Sequence, residues 1–117
     1  MNRLEITKQN EEKILNSFYS ELKEQGFSFS VYDGELFNEV SSVDDILNLY
    51  HNLDVMHIHV QKGDYTASAS FIFGNGEDGI YCMYDYSYSL QEKNLLTKTF
   101  NLIDELADER CERLALS

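Results

Sequence analysis

Three stretches of alternating side chains, joined by connections too short to hold a helix, constrain this chain more than any other feature. Val55 to Gln61 sets Met56, Ile58 and Val60 on one face; Tyr65 to Phe73 sets Ala67, Ala69, Phe71 and Phe73 on one face. Ile80 to Tyr88 does the same with Ile80, Cys82, Tyr84, Tyr86 and Tyr88, leaving Tyr81, Met83 and Asp85 outward. The links are Lys62-Gly63-Asp64 and Gly74-Asn75-Gly76-Glu77-Asp78-Gly79. A parallel crossover needs about a dozen residues or more, so the three strands are expected to form an antiparallel meander.

Helical spacing brackets this meander. Ile14, Leu15, Phe18, Tyr19 and Leu22 recur as one stripe between Thr7 and Gln25, with Thr7 or Asn10 as the cap and Gly26 past the end. Phe27-Ser28-Phe29-Ser30-Val31-Tyr32 then alternates as a strand, and Asp33-Gly34 reads as a two-residue hairpin turn. The return segment Glu35 to Val40 alternates poorly and reads as an edge strand or an irregular stretch. Ser42-Val43-Asp44-Asp45 has a cap followed by acids in a first turn, and the stripe Val43, Ile46, Leu47, Tyr50 and Leu53 carries a short second helix. Ser89-Leu90-Gln91-Glu92 has capping-box form and opens a long terminal helix striped by Leu95, Leu96, Phe100, Leu102, Ile103, Leu106 and Leu114.

The expected order is α-β-β-α-β-β-β-α: an α+β fold whose antiparallel sheet, a three-stranded meander plus an N-terminal hairpin, has helices packed on one face. A chain of 117 residues that is 43% apolar supports one core, so residues 1–117 read as a single domain. No run is long enough to span a membrane, and Met1-Asn2-Arg3-Leu4-Glu5 lacks the apolar core of a signal peptide, so a cytoplasmic location is expected. Cys82 and Cys111 form no metal spacing and are expected as free thiols.

Charge is distributed unevenly. From Glu24 to Glu92 the chain carries twelve carboxylates against one base, Lys62, a net of −11 out of −12 for the whole chain. A negative field of that size attracts basic partners and repels nucleic acid and anionic membrane. Chemistry offers little competition. His57 and His59 share one face of a strand, near His51 and Asp54, but no further ligands are specified, so they read as solvent-face histidines opposite Met56, Ile58 and Val60, and neither a metal nor a cofactor is expected. The loop Gly74 to Gly79 has glycines but adds two carboxylates and leads into a strand, so it reads as a hairpin tip rather than a phosphate cradle. No nucleophile stands in a recognisable setting, and no enzyme activity is expected.

In size, charge and α+β character the chain resembles the small acidic immunity proteins of contact-dependent growth inhibition and other polymorphic toxin systems. The resemblance implies a cytoplasmic inhibitor, expected as a monomer, that neutralises a basic toxin such as a nuclease by covering its phosphate-binding cleft. Composition also resembles the acidic chaperones of type III secreted effectors, and a phage anti-defence protein that mimics DNA charge would rest on the same physics as the inhibitor. The residues expected to meet a partner are Asp33 and Glu35 at the hairpin, Asp44 and Asp45 at the second helix, Glu77 and Asp78 at the meander tip, and Tyr81 and Asp85 beside it.

Overall fold

The computed structural model describes residues 2–116. They form an α+β structure with a five-stranded antiparallel sheet in the order β2-β1-β3-β4-β5 and four helices. The strands are β1 (Ser28–Tyr32), β2 (Phe37–Val40), β3 (Val55–Lys62), β4 (Tyr65–Ile72) and β5 (Met83–Tyr86). The helices are α1 (Arg3–Glu24), α2 (Val43–Tyr50), α3 (Tyr88–Glu92) and α4 (Thr97–Ala115), with a 3-10 turn at Glu77–Gly79.

Alternation in β1, β3 and β4 sends Phe29, Val31, Met56, Ile58, Val60, Ala67, Ala69 and Phe71 into one continuous core. The α1 stripe of Ile14, Leu15, Phe18 and Leu22 is wholly buried in the same core, and Phe18 meets Phe71 edge to face with ring centroids 5.3 Å apart. Apolar burial on this scale is the main driving force for the fold.

Helix α1 starts a turn earlier than its apolar stripe suggests. Asn2 is the cap, its side-chain oxygen accepting from the Glu5 amide at 2.9 Å, while Thr7 and Asn10, the expected caps, lie buried inside the helix. Helix α2 starts as its sequence indicates: the Ser42 hydroxyl accepts from the Asp45 amide at 3.3 Å.

The β1–β2 connection is a four-residue loop rather than the expected two-residue turn, because Tyr32 pairs with Phe37. Asp33 builds it. One carboxylate oxygen accepts from the amides of Glu35 and Leu36, both at 2.9 Å, and the other accepts from the Asn38 side chain at 3.1 Å.

Strand β5 corrects the expected facing of the tyrosines. Asp85 pairs with Ser70 but Met83 pairs with Phe71, so Tyr84 is the extra residue of a bulge. One extra residue inverts the parity before it: Met83 turns inward and is buried, while the unpaired Tyr84 is exposed; Tyr88 is exposed because the strand has ended and Tyr88 opens α3. Ile80 and Cys82 are still buried, but from the segment that precedes the strand.

The expected single terminal helix is two. Helix α3 is one turn, the chain breaks at Asn94 in a left-handed conformation (φ 56°), and α4 begins at Thr97. Ser89 does not cap; its hydroxyl lies 2.7 Å from the Tyr65 hydroxyl. The cap of α4 comes from α1, where the Glu21 carboxylate accepts from the Lys98 amide and from the Thr99 amide and hydroxyl, each at 2.8 Å.

Candidate functional site

Opposite the core, the sheet presents a polar and aromatic face. Register sets Phe37, Tyr32, His57, Ser70 and Asp85 in one row across all five strands, and Glu39, Ser30, His59 and Ser68 in the next. At the usual strand spacing, the first row is about 19 Å long. Its β2 end is aromatic: Phe37 packs 4.9 Å from Tyr32 and 5.1 Å from His59, ring centre to ring centre. Between them lies a shallow depression of about 460 Å³, lined by Tyr32, Phe37, His57, His59, Ser68 and Ser70. Phe37 is 61% exposed and Leu36 68%, large apolar surfaces on a protein with ample core to hold them.

Histidines His57 and His59 stand on the face expected for them, with His57 Nδ1 2.8 Å from the Ser70 hydroxyl. Among the described residues, no group of three or more histidine, cysteine, aspartate or glutamate side chains is arranged to hold a metal ion. Both cysteines are free, Cys82 buried and Cys111 exposed on α4.

The eight residues expected to meet a partner fall into separate settings. Asp33 and Glu35 stand at the end of the sheet where β1 finishes and β3 begins, in line with the row that ends in Asp85. Asp44 and Asp45 follow β2 where Val40 pairs with Phe29, toward the opposite end of the sheet. Glu77 and Tyr81 precede β5 and Asp85 lies within it, with exposed Tyr84 next to Asp85 in the strand.

Several of these carboxylates have local duties. The backbone amides of Leu36 and Glu35, then the Asn38 side chain, hold the Asp33 carboxyl below the usual range. The Ser41 amide, 3.0 Å from its Oδ2, does the same for Asp45. Asp78 is not an exposed tip residue: it is 5% exposed, and all three arginines of the chain converge on it. Arg3 lies 3.5 Å and Arg110 3.4 Å away, and Arg113 Nη2 donates to Oδ2.

The loop carrying Asp78 therefore folds against α1 instead of projecting from the meander. Asn10 donates to the Asp78 carbonyl at 2.9 Å. The buried Glu11 carboxylate accepts from the Gly74 amide at 2.7 Å. Gly79 makes the approach possible: at φ 74°, a Cβ there would stand 2.7 Å from the Thr7 carbonyl oxygen and from Glu11 Cγ.

Glu35, Glu39, Asp44, Asp54, Asp64, Glu77 and Asp85 are exposed and, among the described residues, form no ion pair. Sequence reading missed the Leu36-Phe37 pair and Glu39. The signal was present in the poor alternation of Glu35 to Val40, where two adjacent apolar residues cannot both point inward.

No family model matches the sequence, no curated protein matches it, and no solved structure matches the fold. Among the described residues, no helix is long and apolar enough to cross a membrane.

Proposed function

We propose that this chain is a single-domain, cytoplasmic inhibitor of a basic protein, of the immunity-protein kind that neutralises a nuclease toxin, and acts by binding rather than catalysis. Its helices take one face of the sheet, and the other face meets the partner. The observation that carries this reading is exposed Leu36 and Phe37 beside Glu35 and Glu39, with Asp85 at the far end of the same sheet row, three carboxylates that form no ion pair among the described residues. Aromatic and apolar side chains supply contact area, and a carboxylate rim supplies steering and orientation toward a cationic cleft. A nuclease needs such a cleft to hold phosphates. The uncompensated carboxylates repel nucleic acid itself, so the partner is a protein.

Capture of partners from the native host, with identification by mass spectrometry, tests the reading. A basic protein whose activity is lost on addition of stoichiometric chain is the expected result. Recovery of no basic partner would count against it, and an obligate dimer holding an extended effector segment would favour the secretion-chaperone alternative.

A further inference from the structure

The two edges of the sheet are not equivalent. At β5 the ladder is broken by the bulge at Tyr84, a device that twists an edge away from further pairing. At β2 the pairing is regular, Phe37 to Val40 against Tyr32 to Phe29, with no shift in register. No strand lies beyond β2, and its amides and carbonyls that point away from β1 meet no other group among the described residues. Such an edge is a template for one more strand.

Side chains determine what that strand is. Phe37 and Glu39 lie on the outer face of β2, and Glu35 precedes them by two residues in the loop. Consider a second copy of the chain pairing antiparallel along this edge. The register that sets Phe37 against Phe37 brings each Glu39 toward the loop that carries Glu35 of the other copy, and the register centred on Glu39 sets that carboxylate against itself. Like charges directly opposed across strands are destabilising, and the remaining register, centred on Asn38, sets each Glu39 against a Phe37 ring rather than a base, so the edge is poorly matched to its own copy. The same positions favour a strand with an apolar residue opposite Phe37 and a base two positions away on either side.

We propose that β2 receives an extended segment of the partner as a sixth, antiparallel strand, with the pattern base-x-apolar-x-base facing Glu39, Phe37 and Glu35. Main-chain hydrogen bonds along the edge supply affinity, and the three outward side chains supply selectivity. The segment's bases meet Glu39 and Glu35 while its apolar residue covers Phe37 and the adjoining Tyr32 and His59 rings. This inference rests on the inhibitor reading above, but names the surface independently of which basic protein supplies the strand.

The probe is the synthetic peptide Thr-Lys-Thr-Val-Thr-Lys-Thr, whose lysines and valine share one face when extended. The same residues reordered as Thr-Lys-Val-Thr-Thr-Lys-Thr place the valine on the other face at equal charge. In an amide NMR titration, the first peptide is expected to shift and protect Phe37 to Val40 and to bind at least about tenfold tighter than the second. Glu39→Lys and Phe37→Ser, both at exposed positions, should each remove that advantage without altering the fold. Equal binding of the two peptides, or shifts centred on β5 or spread over all carboxylates, overturns strand addition. A captured partner that binds wild type, Glu39→Lys and Phe37→Ser alike also overturns it while leaving the inhibitor reading intact. Loss of that reading alone, with the peptide still selective for β2, would leave the edge as a strand receptor for another basic protein.

Discussion

Tyr50 donates its phenolic hydrogen to Glu11 Oε1 at 2.8 Å, inside the protein and 39 residues away in sequence. With the Gly74 amide on the other oxygen, this carboxylate ties α1, α2 and the Gly74–Gly79 loop together without a cation. Glu11→Ala is therefore expected to leave the buried Tyr50 hydroxyl and the part-buried Gly74 amide without an acceptor and to lower stability by about 2–3 kcal/mol, whereas Tyr50→Phe should cost about 1–2 kcal/mol. Urea denaturation followed by circular dichroism measures both. Equal and negligible losses would show that the network is not structural.

The same cluster controls behaviour at high pH. Burial pushes the Cys82 thiol up to about 12, with the Glu11 charge adding to the effect, and burial followed by the Glu11 hydrogen bond raises the Tyr50 phenol above its usual range. Both groups are held neutral by the fold. Their contribution is fully present below the ordinary thiol and phenol values, near 9 and 10, and is lost as pH rises through the folded-state values. The denaturation midpoint should fall from about pH 9 upward, and Cys82→Ala should flatten the first part of that fall. A midpoint independent of pH between about 9 and 11 contradicts this.

Charge, rather than shape, is what Asp78 supplies to the arginine cluster. Asp78→Asn keeps the size and tolerates the left-handed backbone (φ 56°), but leaves three guanidiniums facing one another. A loss of about 2–4 kcal/mol is expected. Arg3→Ala should cost no more than about 0.5 kcal/mol, because the Arg3 side chain is 77% exposed. Gly79→Ala, forced into Glu11 and the Thr7 carbonyl, should cost more than about 2 kcal/mol. Thermal melts of the three variants give the ranking.

Adjacent acids should behave differently. Asp44 is exposed at the start of α2, so Asp44→Lys should leave the melting temperature almost unchanged. Asp45→Lys removes the acceptor for Ser41 and should lower it by several degrees. The depressed Asp33 and Asp45 carboxyls add a pH signature: their contribution is present above the usual carboxylate range and is lost as pH falls through it. Protection of the Glu35, Leu36 and Ser41 amides, taken relative to their intrinsic exchange rates, should therefore fall on acidification below about pH 4.

Partner association should be fast and salt-sensitive, with dissociation much less so, because dispersed carboxylates act over about a Debye length, roughly 8 Å at physiological salt. Sign reversal at Glu39 or Asp85 should slow association with little effect on the fold. An on-rate unchanged from low to high salt removes the steering mechanism.

Local signals read correctly from the sequence; remote ones did not. Alternation gave β1, β3 and β4, and Ser42 with its following acids gave the start of α2, because each depends on residues within a few positions of one another. The parity of β5 failed at Tyr84, since a single unpaired residue leaves no mark on an otherwise regular pattern. The break before α4 is not visible in the sequence because the group that caps it, Glu21, lies 78 residues from Thr99. Asp78 reads as exposed in the sequence because the arginines that converge on it come from both ends of the chain. The acidic character of the candidate site is legible in the sequence; its apolar centre at Leu36 and Phe37 is marked there only by the poor alternation of Glu35 to Val40, which does not say which of the two faces outward.

The convergence of every guanidinium on Asp78 also restricts what the remaining surface can recognise. Planar, forked donors are the groups best suited to grip a carboxylate or phosphate at two points. This chain turns all three toward its own aspartate and leaves only lysines elsewhere, whose compact ammonium groups attract anions without fixing their orientation. The molecule is thus chemically one-sided: it offers many exposed carboxylates, which suits the basic partner proposed above, and has little left with which to hold an anion in return.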